Sequence, residues 1–362
     1  MIHTHITAVL AATLVLAGCA ISSSQMDAAP LSFPQVATLA GDGSAGAVDG
    51  PAARINRPHG LSLAASGTLI FADRGNHQVR AVKPDSSVTT VAGAGKPGFA
   101  DGPVGLVQFN EPIAVAIERG GAIYVADRNN HRIRKIRTDG TVATLAGTGE
   151  SGFADGSGSA ARFNQPYGVA LNQAETTLYV ADYLNHAIRQ INLLTGQVST
   201  LAGNGIAGNV DGEGGVARFN QPYNVRVDAR GMIWVPDQLN HSIRTVTPAG
   251  RVLTVAGTGK AGVADGRGTT AQFNNPTGVV TLPDGTAVVA DRNNNRLRRV
   301  AADGTVTTLA GTVEAGFTDG PATSARLNQP LDVVFDAKTN RLLISEDKGH
   351  RIRVLESDAR TR

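Results

Sequence analysis

The sequence is poor in cysteine, in aromatic residues and in concentrated charge. Its 362 residues include one cysteine, Cys19, so no disulfide can form within the chain. Aromatic residues make up 4% against 41% hydrophobic residues, so a core must be built from Val, Ile, Leu and Ala. The net charge is +3, from 33 Lys and Arg against 30 Asp and Glu, and the basic residues recur singly instead of forming blocks. Nucleic-acid binding through a basic patch is therefore not indicated. One long apolar run stands out, TAVLAATLVLA at 7–17, and it is too short for an ordinary membrane span.

That run reads as the apolar region of an export signal. It ends in Leu16-Ala17-Gly18-Cys19, the pattern at which bacterial lipoproteins are cleaved before a lipid-modified cysteine. The expected organisation is a signal over 1–18, then a lipidated Cys19 and a polar, proline-bearing tether over 19–35. A folded domain follows over 36–356, with a tail over 357–362. Acyl chains at ~0.8 kcal/mol per buried methylene would hold such a chain on a membrane. Ala20 is not Asp, and by resemblance to Gram-negative lipoproteins this implies the outer membrane.

What the chain has in quantity is glycine, 43 residues, most at recurring positions. An Asn-x-Pro element repeats six times, at Asn56/Pro58, Asn110/Pro112, Asn164/Pro166, Asn220/Pro222, Asn274/Pro276 and Asn328/Pro330. The spacings are 54, 54, 56, 54 and 54 residues, a period that signals a repeat architecture. Each repeat holds four short runs of strand-forming residues, here called a to d, separated by tight turns. The fold class is therefore all-β: a six-bladed β-propeller of four-stranded antiparallel blades. Residues 36–41 form a d strand with no a, b or c before it, and the last repeat lacks a d strand. The N-terminal strand should thus complete the last blade and leave no free sheet edge. Alternation puts the long d–a connections and the b–c turns on one face, which is the expected binding face.

Two sets of residues carry chemistry. The first recurs: Asp73, Asp127, Asp182, Asp237, Asp291 and Glu346, each followed by His or Asn four residues on and Arg seven on. A carboxylate beside an imidazole resembles a catalytic or zinc site. Six copies argue instead for a structural brace, because an active site is usually unique. The Gly-rich connections lack the Gly-Lys-Ser/Thr helix start of a phosphate loop and read as turns. The second set is what differs between blades on strand a, which lies innermost. Small or apolar residues are the rule there, and Asn224, Arg226 and Asp332 break it. Beside them at the channel mouth stand His59, Tyr167 and Tyr223. These six are the candidate ligand-binding residues: Tyr167 and Tyr223 as stacking walls, Arg226 for an anion, the others as polar groups. The bland alternative is that Arg226 and Asp332 pair across the channel through water and merely satisfy each other.

The strings FNQPYGVAL…LYVADYLNHAIR and FNEPIAVAI…IYVADRNNHRIR, with four sisters and the loop LAGTGESGFADG, resemble the NHL-repeat family of six-bladed propellers, in its exported bacterial form. The resemblance covers residues 36–356. It implies a module that binds proteins, peptides, RNA or carbohydrate-like ligands; a few related propellers are metal-dependent lyases or lactonases. The leading expectation is a monomeric, lipid-anchored binding module for a protein, peptide or glycan of the cell envelope, with no catalytic residues, no cofactor and no nucleic acid. The alternative is a lactonase- or lyase-like enzyme with calcium or zinc at the channel mouth, for which His59, Asn224 and Asp332 are the only candidate ligands.

Overall fold

The computed structural model describes residues 31–357. The export signal, Cys19 and most of the tether lie outside the described residues, as does the tail beyond residue 357. Among the described residues no helix is long and apolar enough to cross a membrane.

Six antiparallel sheets follow one another along the chain. In the third, strand a is Pro166–Leu171, b Thr177–Asp182, c Ala187–Asn192 and d Gln197–Ala202, paired in that order. Strand b is almost wholly buried because both of its faces pack against neighbouring blades. The core is built from Val, Ile, Leu and Ala, with a buried Phe in four of the six connections, Phe109, Phe163, Phe219 and Phe273, where the other two carry Ile55 and Leu327. The last sheet takes its strand d from the start of the domain: Gln35–Ala40 pairs antiparallel with Arg351–Glu356, Val36 opposite Leu355. The ring thus closes without a covalent link.

Two boundaries differ from expectation. The tether ends earlier than residue 35. Phe33 is buried and meets Phe335 edge-on at 6.4 Å, and the Pro34 carbonyl accepts from Ala322 N–H at 2.7 Å. The d–a connection is also not all loop. In five blades its Asp-Gly step supplies a two-residue fifth strand outside strand d, as Gly156–Ser157 does against Gln197–Val198. In blade 1 this reduces to a single bridge, Gly50 to Val88.

Candidate functional site

The recurring carboxylates sit at the end of strand b, sealed from water. Asp73 accepts from Asn56 N–H at 2.7 Å, from Asn76 Nδ2 at 2.7 Å and from Arg80 Nη1 at 2.8 Å. Arg80 is wholly buried and also reaches Asp49 of the Asp-Gly step at 2.7 Å. Asp49 in turn accepts from Thr90 N–H on strand d. One guanidinium therefore ties strand b, strand c and the incoming loop together, and the loop aspartate adds strand d. In four blades it also lies 5.2 to 5.4 Å over the core Phe. Burial raises the pKa of all six carboxyls, to about 6 at Asp237 and about 7 at Glu346. At Glu346 Gly349 replaces the Asn that bonds the carboxylate elsewhere, so Oε2 is left without a partner and burial is opposed by one hydrogen bond fewer.

The histidine of each repeat joins one blade to the next. His77, in the left-handed region with φ 54°, accepts through Nδ1 from the Glu111 N–H of the following blade at 3.1 Å. His131, His186, His241 and His350 accept likewise from Gln165, Gln221, Asn275 and Arg57. In blade 5, Asn295 Oδ1 serves Gln329 at 3.0 Å. Partial burial lowers the pKa of all five histidines, so the neutral, accepting ring is favoured.

The six candidate ligand residues do come together at the centre. His59, Tyr167, Tyr223, Asn224 and Asp332 line one cavity of about 10 Å³, room for about one water. Three glycines explain the tightness. Gly60, Gly168 and Gly278 lie in alternate blades, and a Cβ on each would stand 2.5 to 2.6 Å from the Cα of Ala114, Asn224 or Asp332 on the next. The inner strands therefore touch in pairs.

Most polar groups of this plug satisfy each other, with Arg226 Nε left buried and without a partner. Asp332 Oδ2 accepts from Leu61 N–H at 2.8 Å and Arg226 Nη2 at 2.7 Å; Oδ1 accepts from Asn224 Nδ2 at 3.0 Å and Val333 N–H at 2.9 Å. His59 Nε2 meets the Tyr223 hydroxyl at 2.6 Å, and the two rings stack at 5.4 Å. Burial holds the His59 pKa well below its ordinary value and the Tyr223 pKa well above, so both are neutral. The cross-channel pair is thus present, but as a direct contact and not through water, and the tyrosines are packed against one another, Tyr167 edge-on to Tyr223 at 4.9 Å. Among the described residues no three His, Cys, Asp or Glu side chains are grouped as metal ligands.

Above this floor, on the expected binding face of the long connections, lies a mouth built from residues outside the six candidates. Two residues per blade build it: the middle residue of Asn-x-Pro and the residue after the strand-b carboxylate. All six middle residues have φ between 52° and 58°, a left-handed conformation that turns the chain sharply into strand a. Half of the mouth is charged. Arg74 and Arg128 share Glu111 Oε2, and Arg57 and Arg292 share Asp347. Burial opposes it, but the hydrogen bond from Arg57 and its charge, with Arg292 adding, hold the Asp347 pKa down at about 2. The other half is neutral: the Tyr183 hydroxyl lies 2.6 and 2.7 Å from the carbonyl oxygens of Gln221 and Gln238, and its ring stacks on Tyr167 at 4.1 Å. Arg128 lies 5.2 Å over Tyr167, so floor and rim are in contact. The signal that marks these positions is variation inside an otherwise constant turn.

The fold and its repeated braces define the class, a six-bladed propeller built of NHL repeats. The chain belongs to the NHL-repeat family: the family model of the Teneurin NHL domain matches residues 105–301, more than half of it. The chain is 33% identical over 265 residues to Protein SUPPRESSOR OF QUENCHING 1, chloroplastic, of Arabidopsis thaliana. It is 30% identical over 276 residues to NHL repeat-containing protein 2 of Homo sapiens. These matches cover 68% and 65% of this chain but only 25% and 37% of those relatives. An auxiliary nutrient binding protein from Bacteroides thetaiotaomicron shares the fold at a TM-score of 0.69 and 17% identity, over 89% of this chain and 76% of that one. The virginiamycin B lyase of Staphylococcus aureus does so at 0.52 and 12%, over 83% and 94%. At such identities the likeness is one of fold.

Proposed function

We propose that the chain is a binding module whose working face is the mouth, and that it recognises a protein, peptide or glycan of the cell envelope while held on the outer membrane through a lipidated Cys19. The observation that carries this reading is the plug. The inner side chains are bonded to one another around a space for one water, so a ligand meets the rim of the channel and not its interior. A rigid ring of braced blades carrying half-buried, variable polar side chains at one rim is a recognition surface. A likeness in fold to nutrient-binding propellers fits this reading. A metal-dependent lactonase or lyase would need three unlike ligands converging at the channel.

The test is recovery of partners from envelope extracts by the full chain. Arg128→Ala/Tyr183→Ala should lose them, whereas Lys83→Ala/Arg137→Ala, in turns of the opposite face, should retain them. Equal recovery by all three proteins would dismiss the mouth.

A further inference from the structure

The hydrogen-bonding capacity of the mouth is lopsided. Four arginines face two carboxylates there, an excess of two positive charges in a half-buried concave surface. Arg74 and Arg128 lean on the same carboxylate oxygen. Arg292 Nη2 is shared between Gln329 Oε1 at 3.2 Å and Asp347 Oδ2 at 3.0 Å, and its Nε is buried without a partner. The glutamines add to the imbalance. A guanidinium carries no acceptor. Gln165 can therefore meet Arg128, and Gln329 can meet Arg292, only through carbonyl oxygens. Their NH2 groups are left as free donors at the rim, with no hydrogen bond to any described residue. The Tyr183 hydroxyl has one proton for the Gln221 and Gln238 oxygens, so it fixes one of them in the same sense. Apart from Glu111 Oε1 and Asn275 Oδ1, the side-chain acceptors of the mouth are engaged internally, and the surplus it presents outward is of donors, charged on one side and amide on the other.

We infer that the mouth takes an acidic saccharide, a ring bearing a carboxylate and several hydroxyl oxygens, with the carboxylate on the arginine side and the hydroxyls on the glutamine side. This rests on the reading of the mouth as the binding face. A sugar oxygen accepts readily and its hydroxyl proton rotates to suit, so a donor wall satisfies it. A peptide also brings backbone N–H groups, for which this rim has few acceptors left. A free phosphate would use the arginines and leave the amide half idle.

Calorimetric titration of the full chain tests the inference with four probes: trigalacturonate, its fully methyl-esterified form, hexaglutamate and inorganic phosphate. Trigalacturonate should bind, the ester at least about tenfold more weakly, the expected loss of one charge-assisted contact. Hexaglutamate and phosphate should also bind more weakly. Arg74→Gln and Arg292→Gln should each weaken trigalacturonate binding by about tenfold or more and flatten its salt dependence, and Arg292→Lys should restore part of that dependence. Gln165→Leu should weaken the acid and the ester alike. Thermal unfolding of each variant guards against misfolding. Equal binding of acid and ester, hexaglutamate or phosphate binding as tightly as trigalacturonate, or no binding of trigalacturonate would each overturn it. Loss of envelope partners by Arg128→Ala/Tyr183→Ala in that case would leave the mouth as the binding face and remove only the ligand class.

Discussion

The five blade-joining histidines make the ring sensitive to pH, and the sign follows from their geometry. Each accepts a backbone N–H through Nδ1, so protonation would turn an acceptor into a donor facing a donor. Their folded pKa values lie below the ordinary 6.5. The unfolded chain therefore binds protons first as pH falls, and stability is present in full above about pH 6.5 and lost below it. Each proton of difference contributes at most ~1.36 kcal/mol per pH unit, and the half-exposed rings realise only part of that. A single site isolates the bond. His186→Ala leaves the Gln221 N–H without its partner, a cost of about 2 kcal/mol and a drop in Tm of roughly 4 °C. His186→Asn should cost little, because Asn295 performs the same task at φ 53° in blade 5. Thermal unfolding followed by circular dichroism between pH 7.5 and 5.5 reads both effects. Replacing all five histidines by Asn should lessen the loss on the acid side, leaving the contribution of buried His59, of the same sign, and those of Asp237 and Glu346, of the opposite sign. Equal losses in His186→Ala and His186→Asn, or an unchanged slope in the fivefold variant, would refute the reasoning.

Other perturbations probe other parts of the ring. Gly168→Ala drives a Cβ to 2.5 Å from the Asn224 backbone and should cost 2 kcal/mol or more by denaturant unfolding; an unchanged midpoint would mean the inner strands are not in contact. Asp332→Ala leaves Arg226 unpaired and should cost about 3–5 kcal/mol, whereas Asp332→Leu/Arg226→Met should cost less than that single change; a costlier double variant would contradict the pairing. Glu346→Asp/Gly349→Asn restores the brace of the other five blades and should raise the Tm, while no gain would deny the Asn its role. Asp347, its pKa lowered to about 2 chiefly by Arg57, contributes up to about 2 kcal/mol above pH 4, lost as pH falls through 2; Asp347→Asn should remove that acid-limb dependence, and an identical limb would falsify the assignment.

The fold was legible because the 54-residue period, the Asn-x-Pro turns and the unpaired strand at 36–41 each carry their own physical signal, and all agree. The two-residue outer strands were not, since an Asp-Gly step reads as a turn and only the Arg beneath it reveals that it is also a sheet edge. The candidate residues of strand a were placed at the centre, but inward direction does not report spacing. Three glycines let the strands approach until the channel closes, and that depends on which blade lies beside which. The mouth residues escaped notice because Arg74, Gln165 or Gln238 in a turn looks like ordinary solvated surface. Only the ring brings twelve such positions around one axis.

Site-specific photo-crosslinking in cells producing the full chain tests the central claim most directly. With a benzophenone amino acid in place of Gln165 or Arg128 at the mouth, and of Lys83 or Asp139 on the opposite face, the account predicts adducts from the mouth positions alone. Adducts confined to Lys83 and Asp139 would contradict it.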